Sequence, residues 1–341
     1  MDGGFVQAGC MTDAVHPREV FHLEGQEAAE AAFVDAMARG RLHHAWMLTG
    51  AEGVGKATFA YRAARRLLGA PPEPAYGLLG ADPQHPVSRQ VMARAHPDLL
   101  VIEREGPDGK PRKVIPVDDV RQLGEFFSKT PATAPFRVAI IDAADDLNIN
   151  SANALLKPLE EPPAKGVLLM VAHAPGRILP TIRSRCRRLA FEAMSLEACA
   201  AFVQDRTAVD TETALRLARM AGGAPGMALQ LASGPALSLD DAARDLLANL
   251  PDVDEALALS VADRFRGADG MGVFNLMIDR LSARSHALAT DRAQAGQGSL
   301  AGWAEAWDSL QRLRRDVEAV NLDRADAFFT ALGELRRAAR A

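Results

Sequence analysis

The stretch GAEGVGKAT at 50–58 constrains this chain more than any other. Before it, WMLTG (46–50) is an apolar run ending in Gly. After it, KATFAYRAARRLLG (56–69) is helix-forming and stops at a Gly. A strand, a Gly-rich turn and a helix in that order let backbone N–H groups turn inward around phosphate oxygens, and the helix N-terminus adds the positive end of its dipole. Gly50, Gly53 and Gly55 supply the turn, and Lys56 has the reach for the outer phosphates. The pattern is incomplete at the next position. GxxxxGK is followed by Ala57, where a phosphate loop has the Ser or Thr whose hydroxyl holds Mg²⁺. Thr58 is no substitute, because one helical step turns the side chain by about 100°.

The surrounding pattern predicts an α/β domain. DLLVIE (98–103), FRVAIID (136–142) and GVLLMVA (166–172) read as buried strands. Between them, Val120, Leu123, Phe126 and Phe127 recur at helical spacing, and SANALLKPLEE (151–161) puts Ala152, Leu155, Leu156 and Leu159 on one face. Such alternation predicts a parallel sheet covered on both faces, with right-handed crossovers. The Pro-rich segment 71–97 reads as a surface excursion, and GPDGKPRK (106–113) as a polar turn. Strands stop after about 191. A small helical unit covers 195–233, punctuated by GGAPG (222–226), and SGP (233–235) reads as a linker. The remainder reads as helix, with breaks at 266–272 and 293–298. In 299–322, Trp303, Trp307, Leu310, Val317 and Val320 read as one core-facing stripe. The expected architecture is α/β followed by all-α: a phosphate-loop domain at 1–190, a small helical lid at 191–236 and a larger helical domain at 237–341.

Two further stretches carry candidate chemistry. In IIDAADD (140–146), Asp142 ends a strand, where phosphate-loop proteins keep the acidic residue that organises the metal. Hydrolases of this architecture often put a Glu beside it to polarise the attacking water; here that neighbour is Ala143, whose methyl group does no acid–base work. Asp145 and Asp146 read as solvated or capping. IRSRCRRL (182–189) packs four Arg near a strand start. By spacing alone it reads as a solvated basic patch, although an Arg at a domain edge can also reach a neighbour's nucleotide. Arg62, Arg65 and Arg66 on one helix, and Arg312, Arg314 and Arg315 on another, read as solvated faces. His43 and His44 suit a packed structural role.

Charge and cysteine usage exclude some classes. With 39 basic against 44 acidic residues there is no global basic field, so any DNA contact must use local patches. Cys10, Cys186 and Cys199 form neither a disulfide framework nor a CxxC metal site, which fits a reducing compartment. The N-terminal segment has no basic region followed by an apolar core, and no apolar run approaches the roughly 18 residues a membrane span needs. A soluble cytoplasmic protein is expected.

RLHHAWMLTGAEGVGKAT, HPDLLVIE, NSANALLKPLEEPP and ILPTIRSRC occur in order and together resemble the clamp-loader branch of AAA+ proteins, over about residues 20–235. The helical tail fits that family's collar domain by layout. The resemblance implies a rigid subunit of a ring that opens a sliding clamp and places it on primed DNA. Its partners would be the delta subunit and the ATP-hydrolysing tau/gamma subunits of DNA polymerase III. It also implies that Arg185, in Ser184-Arg185-Cys186, acts in trans as an arginine finger on ATP bound by an adjacent subunit. His173 falls where active relatives carry a polar γ-phosphate sensor, and Gly226 where ATP-using members have a second sensor Arg. Many relatives carry a four-cysteine zinc module before HPDL; this chain has only His85 and His96 there, too few for a tetrahedral site, so no zinc is expected. Whether Lys56 holds ATP stays open, but productive hydrolysis is not expected. The alternatives are a self-sufficient phosphate-loop ATPase or nucleotide kinase, and a nucleotide-binding module in which ATP only stabilises the fold.

Overall fold

The computed structural model describes residues 15–104, 112–267, 269–294, 300–320 and 322–340. The chain divides into two compact units, Met1–Gln230 and Leu231–Ala341. In the first, α1 (Glu27–Ala38), β1 (Ala45–Thr49), α2 (Lys56–Leu67), α3 (Pro86–Met92), β2 (Leu99–Glu103), α4 (Val117–Ser128) and β3 (Arg137–Asp142) follow in order. Then come α5 (Ile149–Glu160), β4 (Gly166–Ala172), the short α6 (Pro180–Arg183) and β5 (Arg187–Ala190). Three helices, α7 (Leu196–Arg206), α8 (Thr211–Met220) and α9 (Pro225–Ala232), continue from there.

Among the described residues the sheet has five strands in the order β2-β3-β4-β1-β5, every pairing parallel. This is the all-parallel α/β arrangement that the alternation of strands and helices in the sequence predicts. Alternation along β4 explains its position. Val167, Leu169 and Val171 enter one core with Phe33, Trp46 and Phe59, and Leu168, Met170 and Ala172 enter the other with Val120, Leu123 and Leu155. A strand buried on both faces has to be apolar throughout, and GVLLMVA is. Leu156, expected on the buried face of α5, is only half-buried, while Ala152, Leu155 and Leu159 are buried.

The segment 71–97 is not the irregular surface excursion that its prolines suggest. It contains α3, with Pro86 in the first turn and the His85 Nδ1 accepting from the Val87 N–H, and it buries Leu79, Val91 and His96. Proline at a helix start replaces an N–H that has no helical partner, so it fits a first turn. The centre of GPDGKPRK, 106–111, lies outside the described residues. Beside it the Arg112 N–H donates to the Arg104 carbonyl at 2.9 Å.

Two arginines of α2 are likewise not solvated. Arg62 is 1% exposed; its Nη2 lies 2.7 Å from Glu30 Oε1 and donates to the Tyr76 carbonyl at 2.7 Å. Arg65 lies 4.0 Å over the Phe21 ring and donates to the Arg18 carbonyl. Their buried guanidiniums fasten the segment before α1 and the loop after α2 to the helix that carries the phosphate loop.

The second unit is helical: α10 (Ala236–Ala248), α11 (Glu255–Asp263), α12 (Gly270–Gln294), α13 (Leu300–Val320) and α14 (Arg324–Arg340). Phe265, Phe274 and Phe328 meet edge to face in its core. A bidentate pair joins α10 to α12, with Arg284 Nε at 2.8 Å from Asp240 Oδ1 and Nη2 at 2.5 Å from Oδ2. On α13 the expected stripe is narrower than its sequence suggests. At 100° per residue, Trp303, Ala306, Leu310 and Val317 fall within an arc of about 60°, and Trp307 and Val320 lie about 40° outside it on either side. The first four are buried, whereas Trp307 is 42% and Val320 67% exposed. Among the described residues no helix is long and apolar enough to cross a membrane.

Removing one partner of a buried ion pair strands the other charge, at about 3–5 kcal/mol. Glu30→Ala should therefore destabilise the first unit by about that amount in urea denaturation. A loss below about 1 kcal/mol, typical of an exposed pair, would contradict the buried role of Arg62.

Candidate functional site

The phosphate loop joins β1 to α2 at the C-terminal edge of the sheet. β3 and β4 end beside it, since the spatial order runs β3-β4-β1. Three of the residues expected from the sequence therefore converge: Lys56 at the start of α2, Asp142 at the end of β3 and His173 just after β4. Their charges act on one another. Burial pushes the Lys56 ammonium down to about 8, against the opposing pull of Asp142, Glu52 and Asp145. Burial, reinforced by Glu103 and opposed by Lys56, pushes the Asp142 carboxyl up to about 6. Burial and then the Lys56 charge lower the His173 imidazole.

The loop itself is drawn closed. The Lys56 ammonium donates to the carbonyls of Gly50 at 2.7 Å and Ala51 at 2.5 Å. Gly53 adopts φ +79°, and the N–H of Gly226, in the first turn of α9, donates to the Gly53 carbonyl at 2.8 Å. A Cβ on Gly53 would stand 2.5 Å from the Met227 backbone nitrogen, and one on Gly226 2.9 Å from the Gly53 oxygen. The start of α9 and the loop thus meet through two glycines, and any side chain at 226 would push them apart. The buried Gln26 adds a strut, with Nε2 donating to the carbonyls of Val54 at 3.2 Å and Glu192 at 2.7 Å. Sequence reasoning missed Gln26, because a Gln before a helix carries no signal that it is buried.

The residues present fit a phosphate cradle only in part. The backbone turn is there, but Ala57 and Ala143 carry neither the hydroxyl nor the carboxylate that Mg²⁺-dependent hydrolysis needs. Among the described residues no group of three or more His, Cys, Asp or Glu side chains could hold a metal ion. Asp145 is neither solvated nor a helix cap. Its carboxylate accepts the N–H groups of His173 at 2.5 Å and Ala174 at 2.7 Å, tying the turn after β3 to the end of β4. Asp146 pairs with Arg104 at 3.0 Å. His43 and His44 stack 4.4 Å apart, and their ring nitrogens contact the carbonyls of Ala45 and Leu159.

Arg185 belongs to a separate feature, on the turn between α6 and β5. Ile182 is buried, and the Cys186 thiol, raised to about 12 by burial, donates to the Ile182 carbonyl at 3.1 Å. A thiol held protonated is no nucleophile; it is a small anchor on the buried side of the turn. Between the anchors Arg185 stands partly exposed. Its Nη1 donates to the Thr181 carbonyl at 2.9 Å and its Nη2 lies 2.9 Å from Glu160 Oε1. The other arginines of the run diverge: Arg188 Nε donates to Thr49 Oγ1 at 2.9 Å, and Arg187 lies 4.8 Å over Trp46.

Residues 25–195 match the model of the family described as DNA polymerase III, delta subunit. The delta' subunit of Pseudomonas aeruginosa DNA polymerase III is 38% identical over 192 residues, 55% of each chain. That of Escherichia coli is 34% identical over 197 residues, 57% of this chain and 56% of the relative. The E. coli tau subunit is 30% identical over 282 residues, 79% of this chain and 41% of the relative. The chain thus spans about half the length of the curated relatives it matches. A solved DNA polymerase III gamma-subunit-related protein from Thermotoga maritima aligns over 90% of this chain and 100% of its own, at 18% identity and a TM-score of 0.44.

The raised Asp142 carboxyl makes stability depend on pH. A carboxyl that titrates near 6 when folded, against 3.8 unfolded, opposes folding once ionised. Its contribution is neutral below the unfolded value, and stability falls as pH rises from about 4 to 6. Asp142→Asn should therefore be more stable than the parent at pH 7.5 by about 1–3 kcal/mol, with the gain vanishing near pH 4 in urea titrations. A pH-independent difference, or a loss at pH 7.5, would contradict this.

Proposed function

The chain belongs to the DNA polymerase III delta-subunit family, and from that membership we propose that it works as the delta-prime subunit of the clamp loader. In this reading it does not hydrolyse ATP. It serves as a rigid stator and supplies Arg185 in trans to ATP bound by an adjacent tau/gamma subunit while the sliding clamp is loaded onto primed DNA. The delta subunit would be its other neighbour, and the helical unit Leu231–Ala341 its collar.

The observation that carries this reading is the contrast between the two features. At the phosphate loop, Lys56 is turned onto the loop's own carbonyls and Gly226 is bonded to Gly53. At the turn after α6, Arg185 is anchored by its neighbours yet exposed, with a side-chain exposure of 37%. Buried Lys56 and Asp142 are poorly disposed to handle Mg²⁺ and water without Ala57 and Ala143 being other residues. An exposed guanidinium on a fixed turn has the geometry to meet charge developing on a neighbour's γ-phosphate. ATP binding in the loop, if retained, would be structural, and His173 would face its outer phosphate without a catalytic task.

Arg185→Ala should leave assembly of the complex intact and reduce its DNA-stimulated ATPase several-fold, because a finger is worth about 10³–10⁵ in rate at the single site it serves. Arg185→Lys should recover little, since an ammonium lacks the planar fork. Turnover unchanged in Arg185→Ala would overturn the finger assignment.

A further inference from the structure

Glu160 is the last residue of α5, and its carboxylate reaches across to the Arg185 Nη2 at 2.9 Å. We propose that Glu160 is a positioning residue for Arg185, holding the guanidinium in the orientation from which it engages the neighbouring subunit's phosphate. The inference rests on reading Arg185 as an arginine finger.

Two contacts fix the fork. Nη1 is held by the Thr181 carbonyl of α6 at 2.9 Å, and Nη2 by Glu160 of α5 at 2.9 Å. A guanidinium has five N–H donors, so these two bonds leave three for phosphate oxygens. Two anchors on different nitrogens restrict rotation of the guanidinium about the side-chain axis, which one anchor leaves free. A free arginine side chain samples many rotamers, and fixing it beforehand reduces the entropy lost on engagement.

Stability does not explain the pair. Its side chains are 37% and 50% exposed, and exposed pairs contribute little to stability. Nor does α5 need Glu160 to close: the helix is fixed at its other end by the Asn148 cap, which accepts the N–H groups of Asn150 and Ser151. Its buried face is Ala152, Leu155 and Leu159. The adjacent Glu161 is equally charged and exposed, which makes it the control position.

The test is DNA-stimulated ATPase of the reconstituted complex carrying Glu160→Ala, Glu160→Gln, Glu161→Ala, Arg185→Ala or Glu160→Ala/Arg185→Ala. Glu160→Ala should lower kcat about tenfold at the affected site with KM for ATP unchanged, since a displaced catalytic group loses rate rather than ground-state binding. Glu160→Gln keeps an acceptor oxygen and should restore most of the rate, and Glu161→Ala should have no effect. Melting temperatures should not move. The double variant should be no slower than Arg185→Ala, because Glu160 acts only through that side chain. A Glu160→Ala rate equal to or above the parent's, or a further loss in the double variant, would overturn the positioning role while leaving the finger intact. An unaffected Arg185→Ala would instead overturn the finger reading, and this inference with it.

Discussion

The Lys56 ammonium, folded back onto the carbonyls of Gly50 and Ala51, is the contact on which the arrangement of the sheet edge depends. It brings a positive charge to a buried place where Asp142 and Asp145 supply the opposite sign, and burial still pushes the ammonium down. Around it each neighbour is tied by backbone. Asp145 secures the end of β4, Gln26 links the loop to the Glu192 carbonyl beyond β5, and Gly226 bonds the start of α9 to Gly53.

In the proposed reading the molecule keeps the backbone of a phosphate site without the side chains for its chemistry. Ala57, Ala143 and Gly226 would then stand in place of the metal ligand, the water-polarising group and the second sensor in turn. At Gly226 sterics also matter, because the approach of α9 to Gly53 would put a Cβ 2.9 Å from the Gly53 oxygen. On this account the chemistry has moved to Arg185, whose turn is held from below by Ile182 and Cys186 and whose fork is held from the side by Glu160.

Much of this was legible in the sequence because it depends on local pattern. The strand–turn–helix around Lys56 and the all-apolar β4 follow from periodicity and from glycine placement, and Asp142 follows from its position at a strand end. What escaped depends on partners distant in sequence. Arg62 resembles a solvated helix arginine until Glu30, 32 residues earlier, is seen beside it. Asp145 resembles a turn residue until the N–H groups of 173 and 174 arrive with β4. Trp307 failed for a different reason. Hydrophobicity alone did not distinguish it from Ala306, but the helical arc did, and the smaller side chain is the buried one. The segment 71–97 misled because its prolines begin a helix and do not break one.

A phosphate loop that serves only as a scaffold turns over no ATP. Mg²⁺-dependent ATP hydrolysis should therefore stay at background both in the purified chain and in Lys56→Ala. Hydrolysis by the parent that disappears in Lys56→Ala would contradict it.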